Sequence, residues 1–238
     1  LDHFLISEKA EFEAADERFT VIGVEGPGAR ALLEGLTAQP LDLPVHGHIE
    51  ASIAGAPVRL IRRDEAGAPG FHGWIAPADA AAIWQALRGA GAAPAGHEAL
   101  EVLRIEAGVP AYGREVDETV IMPETRLEAL VSYTKGCYIG QETVARVKYR
   151  GHVNRALSGL ILDGPRVPAA GAAVMAEDKD VGRITSAAWS YTLGAPIALG
   201  YVRREHFEPG SAVTVRDGDA ALPARVAALP FVPPSGPS

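Results

Sequence analysis

The feature that most restricts what this chain can become is a series of short strand-like runs filling its last third. Ala156–Leu162, Ala172–Met175, Val181–Ser186, Ile197–Val202, Ala212–Val215 and Ala224–Leu229 are rich in aliphatic residues, and glycine, proline or aspartate separates them at close spacing. Runs of this length with turn residues between them read as consecutive strands rather than helices. Strands so arranged protect their edges by closing on one another, so the sequence predicts a small β-barrel. Pro230 to Ser238, rich in proline, reads as a frayed tail.

The first third has a different texture. Arg18 to Val24 is a β-branched run, and Gly26-Pro27-Gly28 then turns into a helix over Ala29 to Leu36, with Leu32, Leu33 and Leu36 on one face. A glycine-rich turn opening a helix can hold phosphate, but this spacing fits neither the dinucleotide fingerprint nor the P-loop, which favours a tight strand-to-helix turn. Val58–Arg62 and Phe71–Ile75 read as strands joined by the Asp64–Gly70 loop, and Ala78–Leu87 as a helix with Ile83, Trp84 and Leu87 inward. Helices laid on one face of antiparallel strands give an α+β unit of ferredoxin-like kind. His46 and His48 are closely spaced but have no third ligand nearby, so no metal site is expected.

Between these regions lie the residues with chemistry. Gly96 to Gly108 predicts a helix, with Gly108 as a left-handed cap and Pro110 preventing continuation. Arg104 in it reads, from spacing alone, as a partner of Glu101 at i, i+3. Ala111 to Tyr133 follows as a long irregular loop of the kind that often covers a site. Thr134 to Arg146 then holds the sole cysteine, Cys137, after Lys135 and Gly136, and leads into a short helix over Gln141–Tyr149 stopped by Gly151. A thiol near a cation and a helix start is a candidate nucleophile, while a lone cysteine is also a common small core residue. Arg146, Lys148, Arg150 and Arg155, with His152, form a basic strip that fits either an anionic partner or a solvated face.

Composition sets outer limits. The chain has 238 residues, enough for one large or two smaller domains, and its net charge of -8 argues against a generic nucleic-acid binder. One cysteine allows no internal disulfide. No apolar run reaches the roughly 18 residues of a membrane helix, and no charged leader is evident, so a reducing, cytoplasmic setting is expected.

Lys135-Gly136-Cys137-Tyr138-Ile139-Gly140-Gln141-Glu142, with Ala145-Arg146, resembles the signature of the YgfZ family of folate-binding proteins, relatives of the glycine cleavage aminomethyltransferases. Leu103 to Gly108 resembles a second stretch common to both groups. The resemblance implies an aminomethyltransferase-type folate-binding α+β region over 1–152, a C-terminal barrel over 153–232 and a flexible tail over 233–238. It implies tetrahydrofolate as ligand, with Arg104, Glu106, Tyr138, Gln141 and Arg146 as contacts, and Cys137 and Lys135 as the reactive pair. It also implies support of iron-sulfur proteins, including enzymes that modify tRNA, for which one cysteine suits a helper rather than a cluster carrier; the charge of the basic strip itself suggests an anionic partner such as a folate tail, a phosphate or RNA, and so a tRNA contact. The alternative is a tetrahydrofolate-dependent aminomethyl or methyl transferase. Phe71–Ile75 lacks the acid that aminomethyltransferases carry in that strand, although Trp74 or His72 there would suit stacking on a pterin ring, with core packing of Trp74 as the other option. Leu1 to Ser7 reads as the tail of an element, and the family normally has a further N-terminal portion, so the chain is expected to be a fragment.

Overall fold

The computed structural model of the chain describes residues 9, 11–64 and 66–233, so the expectations for Leu1–Ser7 and for most of the 233–238 tail lie outside the described residues. Two compact units divide between Ala95 and Gly96.

In the first unit, β1 (Thr20–Glu25), β2 (His48–Ile53), β3 (Ala56–Arg62) and β4 (Gly70–Ile75) form an antiparallel sheet in the order β1-β4-β3-β2. Alternation decides which face is covered. Ile22, Val24, Val58, Leu60, Phe71 and Ile75 point to one side, where α1 (Ala29–Thr37) supplies Leu33 and α2 (Ala80–Gly89) supplies Ile83 and Leu87. Fully burying each such side chain contributes about 1.5–3 kcal/mol. The turn before α1 depends on Gly26, whose φ of 114° is costly for any residue with a Cβ.

The unit departs from its sequence reading in three places. Strand β2 was not expected, because its link to β3 is Ala54-Gly55 with both residues left-handed (φ 53° and 80°), and alanine is a poor marker for that geometry. The segment expected to start a helix at Ala78 begins as a 3-10 turn, Pro77–Asp79, and continues as α2. Trp84, expected inward, is 40% exposed, since Ile83 and Leu87 take the buried stripe.

The second unit contains α3 (His97–Glu106), α4 (Gln141–Arg150) and six strands, β5 (Arg155–Leu162), β6 (Ala173–Ala176), β7 (Lys179–Ser190), β8 (Ala195–Arg203), β9 (Ala212–Asp217) and β10 (Ala220–Ala227). They close in the order β10-β5-β8-β7-β6-β9, the barrel that the punctuated runs predict. Leu160, Val174, Val181, Ile184, Val202, Val215 and Val226 fill its interior. The opposite faces of β5 and β8 are buried as well, because Ile105 of α3 packs with Leu157, Ile197, Leu199 and Tyr201. The N–H groups of Phe231 and Val232 donate to the Glu106 carbonyl, bringing the segment after β10 onto the end of α3. These contacts place α3 and the loop after it in one compact unit with the barrel, and the two units part at 95/96.

A close approach of β7 and β8 beside a register shift fixes two glycines. A Cβ on Gly182 would collide with the Tyr201 carbonyl oxygen, and one on Gly200 with the Arg183 carbonyl oxygen. Gly182→Ala should therefore destabilise the barrel by about 1–3 kcal/mol through forced backbone displacement, read as a lower thermal midpoint, whereas Gly164→Ala, with open space around its Cβ, should lose only the smaller cost of its left-handed φ.

Candidate functional site

Helix α3 reverses the usual pattern. Its buried residues are Arg104, Ile105 and Glu106, while Leu100 and Leu103 are 37% and 41% exposed. Charged groups are buried only where partners meet them, and both have such partners. The Arg104 guanidinium donates through Nε to Glu101 Oε2 (3.0 Å), through Nη2 to Glu101 Oε1 (2.5 Å) and Ser186 Oγ (3.0 Å), and through Nη1 to Glu115 Oε2 (2.9 Å) and the Val109 carbonyl (2.7 Å). These contacts use all five N–H donors of the fork.

Glu115 completes the arrangement. Its side chain is fully buried; Oε2 also accepts the Ala111 N–H (2.9 Å), Oε1 accepts the Ser186 hydroxyl (2.6 Å), and its carbonyl accepts the Tyr201 hydroxyl (2.8 Å). Burial is the largest influence on Arg104 and opposes its charge, but Glu101 and Glu115 outweigh it and raise its pKa above the ordinary value. The hydrogen bond from Arg104 is the largest influence on Glu101 and lowers its pKa, with Arg114 adding a second cation at 2.8 Å. Burial raises the Tyr201 phenol well above its usual range. Glu106 accepts bonds from the Ser190 hydroxyl (2.5 Å) and from the N–H and hydroxyl of Thr192 (3.3 and 3.1 Å). The resemblance implies Arg104 and Glu106 as folate contacts, and in the structure both side chains make hydrogen bonds within the chain.

The cysteine motif lies on the surface. Cys137 is exposed, as are Lys135 and Arg146, and the Lys135 ammonium sits 4.9 Å from the centroid of the Tyr138 ring. Gly140, with φ 88°, precedes α4, and the Gln141 N–H donates to the Tyr138 carbonyl (3.2 Å), so Tyr138 is held at the entry of the helix. Ile139 is 75% exposed and precedes the first helical turn. The structure thus joins Lys135 to Tyr138 and anchors Gln141, and among the described residues it shows no bond from this group to Arg104 or Glu106.

Two members of the basic strip pair with acids distant in sequence. Lys148 pairs with Glu128 (2.6 Å) and lies over the Tyr133 ring, while Arg155 pairs with Glu124 (3.2 Å) and lies over Tyr201. The Arg150 side chain lies outside the described residues. Arg146 is exposed.

In the first unit, Trp74 is 36% exposed on the sheet face opposite the α1 and α2 core and packs obliquely on Phe19, with ring centroids 5.7 Å apart. His72, two residues earlier on that face, has Nε2 3.9 Å from Glu25 Oε1. Glu25 of β1 thus lies beside His72 of β4, a proximity that only the β1–β4 register reveals. Among the described residues no group of three or more His, Cys, Asp or Glu is gathered to hold a metal.

Two results test the buried network. Glu115→Ala leaves the Arg104 charge short of its buried partner and should cost about 3–5 kcal/mol in chemical unfolding. Because the folded-state pKa of Glu101 is depressed, its stabilisation is complete above the ordinary carboxylate value of about 4.3 and disappears as pH falls through the lower folded value. Stability measured from pH 5 downward should fall less steeply in Glu101→Gln than in the native chain.

Comparison with known proteins puts this geometry in context. Residues 2–135 match the GCVT N-terminal domain, and residues 155–233 match the glycine cleavage T-protein C-terminal barrel domain. The chain is 37% identical over 224 residues to an aminomethyltransferase of Streptomyces avermitilis, covering 90% of this chain and 60% of that protein. It is 38% identical over 238 residues to one of Saccharopolyspora erythraea, covering 95% of this chain and 65% of the relative. The crystal structure of glycine cleavage system aminomethyltransferase T from Bartonella henselae superposes with a TM-score of 0.80 at 23% identity, covering 90% of this chain and 60% of that one, which supports the fold. The chain therefore spans about three fifths of the length of these relatives. By the domains it matches, this chain belongs to the glycine cleavage T-protein family.

Proposed function

We propose that this chain is the tetrahydrofolate-handling part of a one-carbon transfer protein of the aminomethyltransferase type. The observation that carries the reading is sequence identity of 37–38% sustained over 90–95% of the chain to proteins named aminomethyltransferase, spanning both the α+β region and the barrel. Because only three fifths of those proteins is covered, the transfer itself is proposed for the full-length protein.

Geometry supports the reading in a particular way. A partly exposed tryptophan ring beside His72 on the sheet face opposite the helices suits stacking on a pterin, and the Glu25 carboxylate near it suits its hydrogen-bonding edge. Arg104 and Glu106 contribute by fixing α3 and the following loop, since their own polar atoms are occupied. Tetrahydrofolate is the substrate here and supplies the nitrogen that receives the one-carbon unit.

A second reading rests on the exposure of Cys137. A sulfur in solvent beside Lys135 and Tyr138 is available to a partner protein, which fits the iron-sulfur support that the cysteine motif implies. Two measurements on the full-length protein separate the readings. Saturable tetrahydrofolate binding with formation of methylene-tetrahydrofolate from an aminomethylated donor, unchanged in Cys137→Ala, is expected for the transferase. Binding without product, with iron-sulfur enzyme activity lost in cells carrying Cys137→Ala, would replace it with the accessory role. Absence of tetrahydrofolate binding would contradict both.

A further inference from the structure

A cleft of about 550 Å³ opens in the second unit, within the size range of small-molecule sites. One wall comes from α4 and the residues after it, through Val147, Lys148, His152 and Val153. The irregular loop provides Pro123, Glu128 and Tyr133, and the barrel provides Arg204, Phe207 and Glu208 from the segment after β8. Neither Cys137 nor the Arg104 network lines it.

Its charges are not equivalent. Lys148 and Glu128 neutralise each other at 2.6 Å, and Lys148 also lies over Tyr133, so both are committed. Arg204 differs: its backbone N–H donates to the Asn154 carbonyl (2.9 Å), which fixes its position at the start of the barrel, while its guanidinium has no hydrogen bond or ion pair among the described residues. A free guanidinium fork matches a carboxylate. Phe207 lines the same wall, with the Arg126 guanidinium 4.9 Å from its ring centroid. Pro123, Val147, Val153 and Phe207 offer apolar surface to a flat ring. Glu208 on the Arg204 wall disfavours a multiply charged phosphate more than a single carboxylate.

We infer that this cleft is a binding site for a small aromatic carboxylate, its carboxylate on Arg204 and its ring against Phe207 and the valines. The site stands apart from the folate reading and does not require it. Arg204 is exposed and outside both the barrel core and the buried network, so Arg204→Ala should fold normally.

The test is titration of the native chain with benzoate and p-aminobenzoate, followed by chemical-shift changes, with inorganic phosphate as a parallel arm. Saturable binding of the aromatic acids, with shifts centred on Val147, Val153 and Phe207, is expected, together with at least tenfold weakening in Arg204→Ala and no comparable binding of phosphate. No saturable binding, affinity unchanged in Arg204→Ala, or phosphate binding as tightly as the aromatic acids would each overturn the inference. A spectrum of Arg204→Ala that otherwise matches the native one shows that lost binding is not lost folding.

Discussion

A guanidinium withdrawn from water sets the terms for the whole second unit. Taking such a charge into the interior costs several kcal/mol unless every donor finds an acceptor. Arg104 meets that condition with groups from α3, from the loop at Val109 and Glu115, and from Ser186 on β7. Glu115 serves as the junction, because one carboxylate takes bonds from the helix, from the loop backbone at Ala111 and from the barrel. Hydrophobic contact between Ile105 and the outer faces of β5 and β8 holds α3 close, and the polar junction fixes its rotation and the path of the chain beyond it.

That anchoring separates two kinds of residue. Arg104, Glu106 and Glu115 are buried and bonded within the chain, which suits architecture. Those of the following segment, Lys135, Cys137 and Arg146, are on the surface and available to ligands or partners. Helix α4 contacts the preceding loop through Lys148 with Glu128 and Tyr133, exposed interactions of modest strength.

Much of the fold is visible in the sequence because local signals agree with it. All six barrel strands follow from glycine, proline and aspartate punctuation, and the end of α3 follows from Gly108, whose φ is 68°. Strand β2 is hidden by an alanine in a left-handed turn, although the alternation of Ile49, Ala51 and Ile53 was there to be read. The site is less legible. The i, i+3 pair of Arg104 with Glu101 is visible from spacing, but Glu115 and Ser186 are 11 and 82 residues away from Arg104, and no local pattern points to them. For the same reason the basic strip looks more positive in sequence than in space, since Glu128 and Glu124 approach it from a distant loop.

The most direct test of this account is native-state amide exchange at Ala111, whose N–H is bonded to the buried Glu115 carboxylate. If that junction unites loop and barrel, the Ala111 amide should open only with the free energy of β7 and β8, far above that of an ordinary surface loop. Exchange at the rate of an exposed loop, while β7 and β8 remain protected, would contradict it.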